Sequence, residues 1–213
     1  MVRRIGITMR VARAVDYGEA RDCIAQDWAD FLSAVLPQTA WMLIPNLGMR
    51  VGEYVEEWNL EGFILSGGND IGENPLRDET EKTILDLAIN WNRPLLGICR
   101  GMQMIQHHLG GRIEECSASR HAGRLHPVEV LPRERFSPPR RNRMVNSFHH
   151  YGVKIEDLSP ALTPLAVAED GVVEAIYHPK APILGIQWHP ERMNPADLQD
   201  REWMEEIFGN RKD

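Results

Sequence analysis

The stretch PLLGICRGMQ at residues 94–103 decides the fold prediction. The apolar run from Pro94 to Ile98 is typical of a buried strand, and the apolar positions after Cys99 recur at helical spacing. Glycines stand two residues before and two after Cys99, where a sharp strand-to-helix turn leaves no room for side chains. The pattern predicts a nucleophile elbow with its thiol at a helix N-terminus, where the dipole favours the reactive thiolate. A buried structural cysteine with incidental glycines is the alternative interpretation.

Outward from this turn, short apolar runs alternate with helical patterns, which indicates an α/β sheet. After Gly111 the pattern changes to closely spaced strands joined by tight turns such as 169–171. The sequence therefore predicts a single domain over residues 1–213. We expect a flavodoxin-like, mostly parallel central sheet with helices on both faces and additional antiparallel strands in the C-terminal half. The predicted strands are 4–9, 41–44, 62–65, 94–98, 128–131, 144–148, 163–168, 172–177 and 183–188.

Composition excludes several classes of protein. The 213 residues are 43% hydrophobic and 26% charged, an ordinary globular balance, with a net charge of −7. This acidity argues against a general binder of nucleic acid or of membrane surfaces. Three cysteines cannot form a closed disulfide set, which suggests a reducing compartment. The N-terminus lacks an apolar signal segment, and no apolar run approaches the ~20 residues of a membrane helix, so we expect a cytoplasmic protein.

A thiolate nucleophile needs a proton partner, and His189 is the best placed of eight histidines. It follows the predicted strand 183–188 and precedes Pro190, which disfavours helical backbone at His189. In extended chain, residues two apart face the same way, so Glu191 is expected beside the imidazole, where it would orient the ring and stabilise its cation. A simple His-Pro turn at a strand end is the alternative.

Acyl chemistry also needs an oxyanion hole. The backbone N–H of Arg100, directly after the nucleophile, is one expected donor. The glycine-rich turn at residues 66–70 follows another predicted strand and offers a second donor, the N–H of Gly68. An ordinary glycine turn is the alternative for that segment.

An arginine-rich segment at residues 132–143 holds five arginines and one acid. Three prolines deny it regular structure. A solvated surface loop is one interpretation. The other is an anion-recognition loop that uses Arg140, Arg141 and Arg143, because guanidinium groups match phosphate and carboxylate geometry.

Together these motifs resemble the class I glutamine amidotransferase family, and they are most similar to its gamma-glutamyl hydrolase branch. The segments that carry the resemblance occur in family order. They are Ser66-Gly67-Gly68-Asn69-Asp70, Gly97-Ile98-Cys99-Arg100-Gly101-Met102-Gln103, Asn146-Ser147-Phe148-His149-His150 and Gln187-Trp188-His189-Pro190-Glu191.

The resemblance implies a Cys99–His189–Glu191 triad, with an oxyanion hole formed by the backbone of Gly68 and Arg100. It also implies that a glutamyl group is held by Gln103, Asn146, Ser147, Phe148 and His149. No cofactor is implied. No metal site is expected either, because no cysteine or carboxylate lies at metal-binding spacing beside His149 and His150 in the sequence.

The predicted function is cysteine-dependent hydrolysis of a γ-glutamyl conjugate, a small-molecule substrate, through a glutamyl thioester. The branch that hydrolyses γ-glutamyl-γ-aminobutyrate commonly has Gln after its paired histidines, whereas Tyr151 follows here. The segment 17–32 and the arginine-rich segment are similar to a short subgroup that hydrolyses gamma-glutamyl-CDP-amidate. Two alternatives stay open: a glutaminase subunit that delivers ammonia to a partner synthetase, and a non-catalytic flavodoxin-like binding module. A homodimer also stays open.

Overall fold

The computed structural model describes residues 3–133, 136, 142–193 and 195–209. The strands are β1 (Arg3–Thr8), β2 (Arg10–Arg13), β3 (Ala20–Cys23), β4 (Thr39–Ile44), β5 (Gly62–Leu65), β6 (Leu95–Ile98), β7 (Glu114–Glu115), β8 (Ala122–Val130), β9 (Asn142–Phe148), β10 (Tyr151–Lys154), β11 (Thr163–Ala168), β12 (Val172–Tyr177) and β13 (Ile183–Ile186). The α-helices are α1 (Asp27–Val35), α2 (Val51–Glu57), α3 (Pro75–Asn90), α4 (Arg100–His108), α5 (Ala118–His121) and α6 (Leu198–Phe208). Short 3₁₀ helices cover Gly48–Arg50, Ile155–Asp157 and Pro190–Arg192.

The parallel half of the central sheet has the order β4-β1-β5-β6-β13. Leu65 at the end of β5 is in register with Gly97 of β6, which is in register with Gly185 of β13. Because the carboxyl ends of parallel strands meet at one edge, the loops after β5, β6 and β13 lie side by side. These are the loops that contain the three predicted catalytic segments.

The antiparallel half continues from β13 through β12, β11, β8 and β9, and β10 pairs with both β12 and β7. This extension brings the end of β9 toward the loop after β13. The prediction of a mostly parallel sheet with additional antiparallel strands in the C-terminal half is confirmed.

Apolar side chains cover both faces of the sheet. On one face, α1 and α6 pack through residues such as Phe31 and Trp203. On the other, α2, α3 and α4 pack through residues such as Val55, Ile84 and Ile105. Burying both faces explains the continuous apolar runs of the parallel strands. Within the described residues, no helix combines the length and the apolar character needed to cross a bilayer.

Among the described residues, four strands are absent from the predicted set: β2, β3, β7 and β10. Strands β2 and β3 form a separate antiparallel hairpin, in which Arg10 pairs with Cys23 and Arg13 with Ala20. Its residues are largely exposed, so the sequence lacks the alternation of apolar and polar residues that marks a half-buried strand. The side chain of Asn69 fixes the hairpin beside the loop after β5, because it accepts from the N–H of Val11 at 2.8 Å and donates to its carbonyl at 3.1 Å.

Candidate active site

Cys99 occupies the sharp turn between β6 and α4. Its φ of 53° and ψ of −106° lie outside the usual regions for a residue with a side chain, and α4 begins at the next residue, Arg100. A Cβ on Gly97 would lie 2.5 Å from the carbonyl carbon of Gly101, and one on Gly101 would lie 2.1 Å from the carbonyl oxygen of Leu65. Both glycines are therefore required by the close packing of this turn, as the sequence predicted.

His189 and Cys99 converge on Gly67. A Cβ on Gly67 would lie 2.8 Å from His189 Cε1, 3.6 Å from His189 Nε2 and 3.5 Å from Cys99 Cβ. On the other side of the ring, His189 Nδ1 lies 2.6 Å from Glu191 Oε1. The backbone at His189 has φ −110° and ψ 88°, the non-helical conformation expected before Pro190. The structure thus brings the three predicted side chains together.

Opposing effects set the charge on His189. Burial lowers its pKa, but hydrogen bonds and charge interactions with Cys99 and Glu191 outweigh burial and raise the pKa to about 9. The imidazolium form is therefore favoured at neutral pH when a thiolate and a carboxylate flank the ring. The thiol of Cys99 has a second polar neighbour, Gln187, whose Nε2 lies 3.8 Å from Cys99 Sγ.

Arg77 shapes the loop after β5, and sequence reasoning missed it. Its fully buried guanidinium donates through Nη2 to the carbonyl oxygens of Ser66 at 2.7 Å and Gly67 at 3.1 Å, and through Nη1 to that of Gly68. In a trans peptide, N–H and C=O point in opposite directions. Since the carbonyl of Gly67 faces Arg77, the N–H of Gly68 points away from Arg77, as an oxyanion donor must.

A buried ion-pair network supports both predicted oxyanion donors. Glu81 is fully buried. Its carboxylate accepts hydrogen bonds from Arg77 Nε at 3.0 Å, from Thr8 Oγ1 at 2.9 Å and from the guanidinium of Arg100. Arg100 also pairs with Asp78. Burial raises the pKa of Glu81, but Arg100 and Arg77 outweigh it and lower the pKa overall, so the carboxylate stays charged. The network ties the loop after β5 to the first residue of α4.

The residues expected to hold a glutamyl group differ in their exposure and in whether a protein group already occupies their polar atoms. Gln103 Nε2 donates to the carbonyl of Tyr151 at 2.9 Å, and the buried Ser147 hydroxyl donates to the carbonyl of His121. Phe148 is 44% exposed and packs edge-on against the His189 ring at 5.8 Å between centroids, so it can contact a ligand.

Asn146 and His149 are directed at other protein groups. Both polar atoms of Asn146 bond the backbone of His189, whereas the resemblance implied contact with substrate. His149 is buried, and its Nε2 lies 3.5 Å from Glu174 Oε1. The structure therefore places a carboxylate beside His149. This removes the ground on which a metal site was not expected, because Glu174 is distant in the sequence but adjacent in the sheet.

Of the three arginines predicted to recognise an anion, only Arg143 lies within the described residues. Arg140 and Arg141 lie outside the described residues. Arg143 is engaged within the protein: its guanidinium makes two 3.0 Å contacts with the Asp200 carboxylate and lies 3.2 Å from Asp197. Arg143 is therefore a structural ion-pair residue in this fold, because the buried Asp200 needs a cation.

A different arginine lies at the candidate site. A Cβ on Gly68 would lie 3.0 Å from Arg10 Nε and 3.1 Å from Arg10 Cζ. The exposed hairpin β2–β3 therefore places a guanidinium directly over the predicted oxyanion loop. No sequence pattern signals this placement, because Arg10 is remote from all four motif segments.

Comparison with known proteins finds one family model and several related proteins. The family model described as Peptidase C26 matches residues 4–191. The chain is 36% identical over 196 residues to gamma-glutamyl-CDP-amidate hydrolase of Campylobacter jejuni. The aligned region covers 89% of this chain and 90% of that protein. It is 32% identical over 151 residues to the glutamine-hydrolyzing GMP synthase subunit of Thermococcus kodakarensis, covering 70% and 74%. A solved glutamine amidotransferase of Thermotoga maritima has the same fold, with a TM-score of 0.66 at 19% identity over 96% of this chain and 81% of that chain.

Proposed function

The chain belongs to the peptidase C26 family, and we propose that it is a cysteine hydrolase that cleaves the γ-amide bond of a γ-glutamyl conjugate and releases glutamate. The observation that carries the proposal is the convergence of Cys99 and His189 on Gly67, with His189 held by Glu191 at 2.6 Å. A nucleophile, a base and an orienting carboxylate in this order are the parts that acyl transfer requires.

In the proposed first step, the Cys99 thiolate attacks the γ-carbonyl carbon of the glutamyl group. The carbonyl π electrons move to oxygen, and the backbone N–H groups of Gly68 and Arg100 stabilise the oxyanion. A pair of such donors contributes several kcal/mol to the transition state. As the carbon–nitrogen bond breaks, His189 Nε2 gives its proton to the leaving nitrogen, and a glutamyl thioester on Cys99 results.

In the second step, neutral His189 removes a proton from water, which attacks the thioester carbonyl. The carbon–sulfur bond breaks, which frees the glutamyl group and regenerates the Cys99 thiolate. His189 keeps the proton that it took from water, and the new γ-carboxyl group loses its remaining proton to solvent, so that glutamate is the product. Glu191 keeps Nδ1–H of His189 pointed at itself in both steps, which leaves Nε2 for the chemistry.

For the leaving group, we propose a nucleotide diphosphate amidate of the kind named for the Campylobacter jejuni relative. Support comes from Arg10, whose guanidinium lies over Gly68, because a diphosphate beside the scissile bond needs a cation at that position. The rival function, release of ammonia from glutamine for a synthetase, is suggested by the identity with the glutamine-hydrolyzing GMP synthase subunit.

A substrate panel tests these functions. The purified chain is given gamma-glutamyl-CDP-amidate, a γ-glutamyl alkylamine and free glutamine, and glutamate release is measured. We expect turnover without any partner protein and the highest kcat/KM for the nucleotide conjugate. Turnover of glutamine alone, rising when a synthetase is added, would overturn the hydrolase proposal. Absence of any turnover, together with no labelling of Cys99 by a glutamine-like chloroketone, would favour a non-catalytic module.

Arg10→Gln tests the leaving-group assignment, with Arg13→Gln on the same exposed strand as the control. We expect Arg10→Gln to raise KM for the nucleotide conjugate about tenfold, the effect of one lost charge-assisted contact. KM for the uncharged alkylamine conjugate should be unaffected in both variants. An equal effect on both substrates would contradict a role for Arg10 in binding phosphate.

A further inference from the structure

Three histidines and a glutamate meet in the antiparallel half of the sheet, outside the site described above. His121 ends α5, His126 lies on β8, His149 follows β9 and Glu174 lies on β12. Their ligand-type atoms all lie within 4.8 Å of one another. Glu174 Oε1 is 3.3 Å from His121 Nδ1, 3.5 Å from His149 Nε2 and 3.7 Å from His126 Nε2.

The outer nitrogens of two of these rings are already committed. His149 Nδ1 lies 2.9 Å from the carbonyl oxygen of Tyr151, and His121 Nε2 lies 3.0 Å from Asp170 Oδ2. Carbonyl and carboxylate oxygens only accept hydrogen bonds, so the ring proton is on the outer nitrogen in each case. In the neutral form of each ring, the inner nitrogens, His149 Nε2 and His121 Nδ1, then direct lone pairs at the cluster. A histidine held by a carbonyl or carboxylate behind it is typical of metal ligation.

The inner atoms of the cluster have no hydrogen-bond partner in the described part of the chain. They are His121 Nδ1, His126 Nε2, His149 Nε2, and Oε1 and Oε2 of Glu174. Glu174 is fully buried, and His121 and His149 are nearly so. Lone pairs directed at a buried carboxylate are unfavourable unless a proton or a metal cation lies between them, and a metal ion satisfies all of these atoms at once.

We propose that His121, His126, His149 and Glu174 bind one Zn²⁺ ion as a closed structural site. Zn²⁺ prefers imidazole nitrogen and carboxylate oxygen in a tetrahedral arrangement. Bonds of about 2.0–2.1 Å in that arrangement separate neighbouring ligand atoms by about 3.3 Å. The three distances from Glu174 Oε1 are already close to this value. An inward shift that brings all four ligand atoms, now within 4.8 Å of one another, to this spacing completes the site.

Such an ion would join elements that are far apart in the chain. It would fix the end of β9 to the start of β8 and to β12, where the N–H of His149 also donates to the carbonyl of His121 at 3.2 Å. Residues 146–148 of β9 lie directly before this anchor and contact His189 through Asn146 and Phe148. The ion therefore supports the position of β9 without contacting the proposed nucleophile.

Metal content of the untagged chain tests the site directly and needs no activity assay. We expect about one zinc ion per chain when the protein is expressed in zinc-supplemented medium and then purified. We expect a lower Tm after treatment with a strong chelator and recovery with ZnCl₂. Replacement by Co²⁺ should give the visible absorption of a tetrahedral site. A metal-free chain whose Tm does not respond to ZnCl₂ would overturn the proposal.

Variants separate the cluster from adventitious binding. His126→Gln is the informative one, because this side chain is 11% exposed and its replacement should leave the fold intact. Glu174→Gln is the second, with circular dichroism to check folding. Both should lose most of the zinc, whereas the exposed His107→Gln should keep it. Equal zinc content in His126→Gln, His107→Gln and the unmodified chain would contradict the assignment.

Discussion

Asn146 holds the main chain of His189 through both of its polar side-chain atoms. Oδ1 accepts from the N–H of His189 and Nδ2 donates to its carbonyl oxygen, each at 2.8 Å. Asn146 is buried on β9, so the antiparallel extension of the sheet positions a residue of the loop after β13. Placement of the imidazole therefore depends on a strand that is distant from the nucleophile along the chain.

Asn146→Ala should lower kcat roughly 10- to 100-fold, because small displacements of a catalytic group are costly. KM should change little, since the side chain contacts the protein. Steady-state kinetics measure the split, and Asn142→Ala at the exposed start of the same strand serves as the control. A large rise in KM with unchanged kcat would instead indicate that Asn146 binds substrate.

Arg77→Lys should lower kcat about 10²- to 10³-fold, the usual effect of losing one oxyanion donor. Lysine keeps a positive charge near Glu81 but cannot hold the carbonyls of residues 66–68 with a planar fork. The control is Arg93→Lys, whose guanidinium donates to the carbonyl of Leu60 before β5, at the opposite end of that strand. Both kcat and Tm are measured for the two variants, so that a loss of activity can be distinguished from a loss of stability. Equal kcat in both variants would contradict a role for Arg77 in positioning the loop after β5.

Glu191→Gln should lower kcat about 10²- to 10⁴-fold and change the pH profile. The pKa of His189 is raised from 6.5 to about 9, so its protonated form stabilises the fold fully below pH 6.5 and loses this effect as pH rises through 9. The proposed first step uses that proton, so activity should decline as pH rises through about 9. Without Glu191 the pKa of His189 falls, and the decline should move to lower pH.

The exposed Glu202→Gln provides the control for this change. Its profile should match that of the unmodified chain. An alkaline limb at the same pH in Glu191→Gln and Glu202→Gln would show that Glu191 does not act on His189.

Gly101→Ala should reduce the free energy of unfolding by about 3 kcal/mol or more, because the new methyl group meets the rigid backbone of Leu65. Gly52→Ala in α2 is the matched control, since a Cβ there meets nothing within 4 Å. That change should stabilise the chain by about 0.5–1 kcal/mol through helix propensity. Denaturant unfolding measures both. Equal free energies of unfolding for the two variants would contradict the close packing of Gly101 against the backbone of Leu65.

The sequence predicts the parts of this site that depend on local rules. The elbow at Cys99 follows from apolar runs and glycine spacing, and the pairing of His189 with Glu191 follows from the proline between them. Arg77, Asn146 and Glu174 act through contacts with residues outside their own segments. Gly67 is 10 residues from Arg77, His189 is 43 residues from Asn146, and His121 is 53 residues from Glu174. Contacts of this kind depend on strand order and register, which the local pattern does not specify. The hairpin that carries Arg10 was missed because it has no apolar alternation.

Nucleophilic catalysis by Cys99 is tested most directly by glutamate release from the best conjugate of the substrate panel in the Cys99→Ala variant. Removing the thiol should abolish release while circular dichroism and Tm stay close to those of the unmodified chain, because alanine fits the space of the buried cysteine. Cys23→Ala should retain full activity. Glutamate release by Cys99→Ala at the rate of the unmodified chain would contradict a nucleophilic role for this thiol.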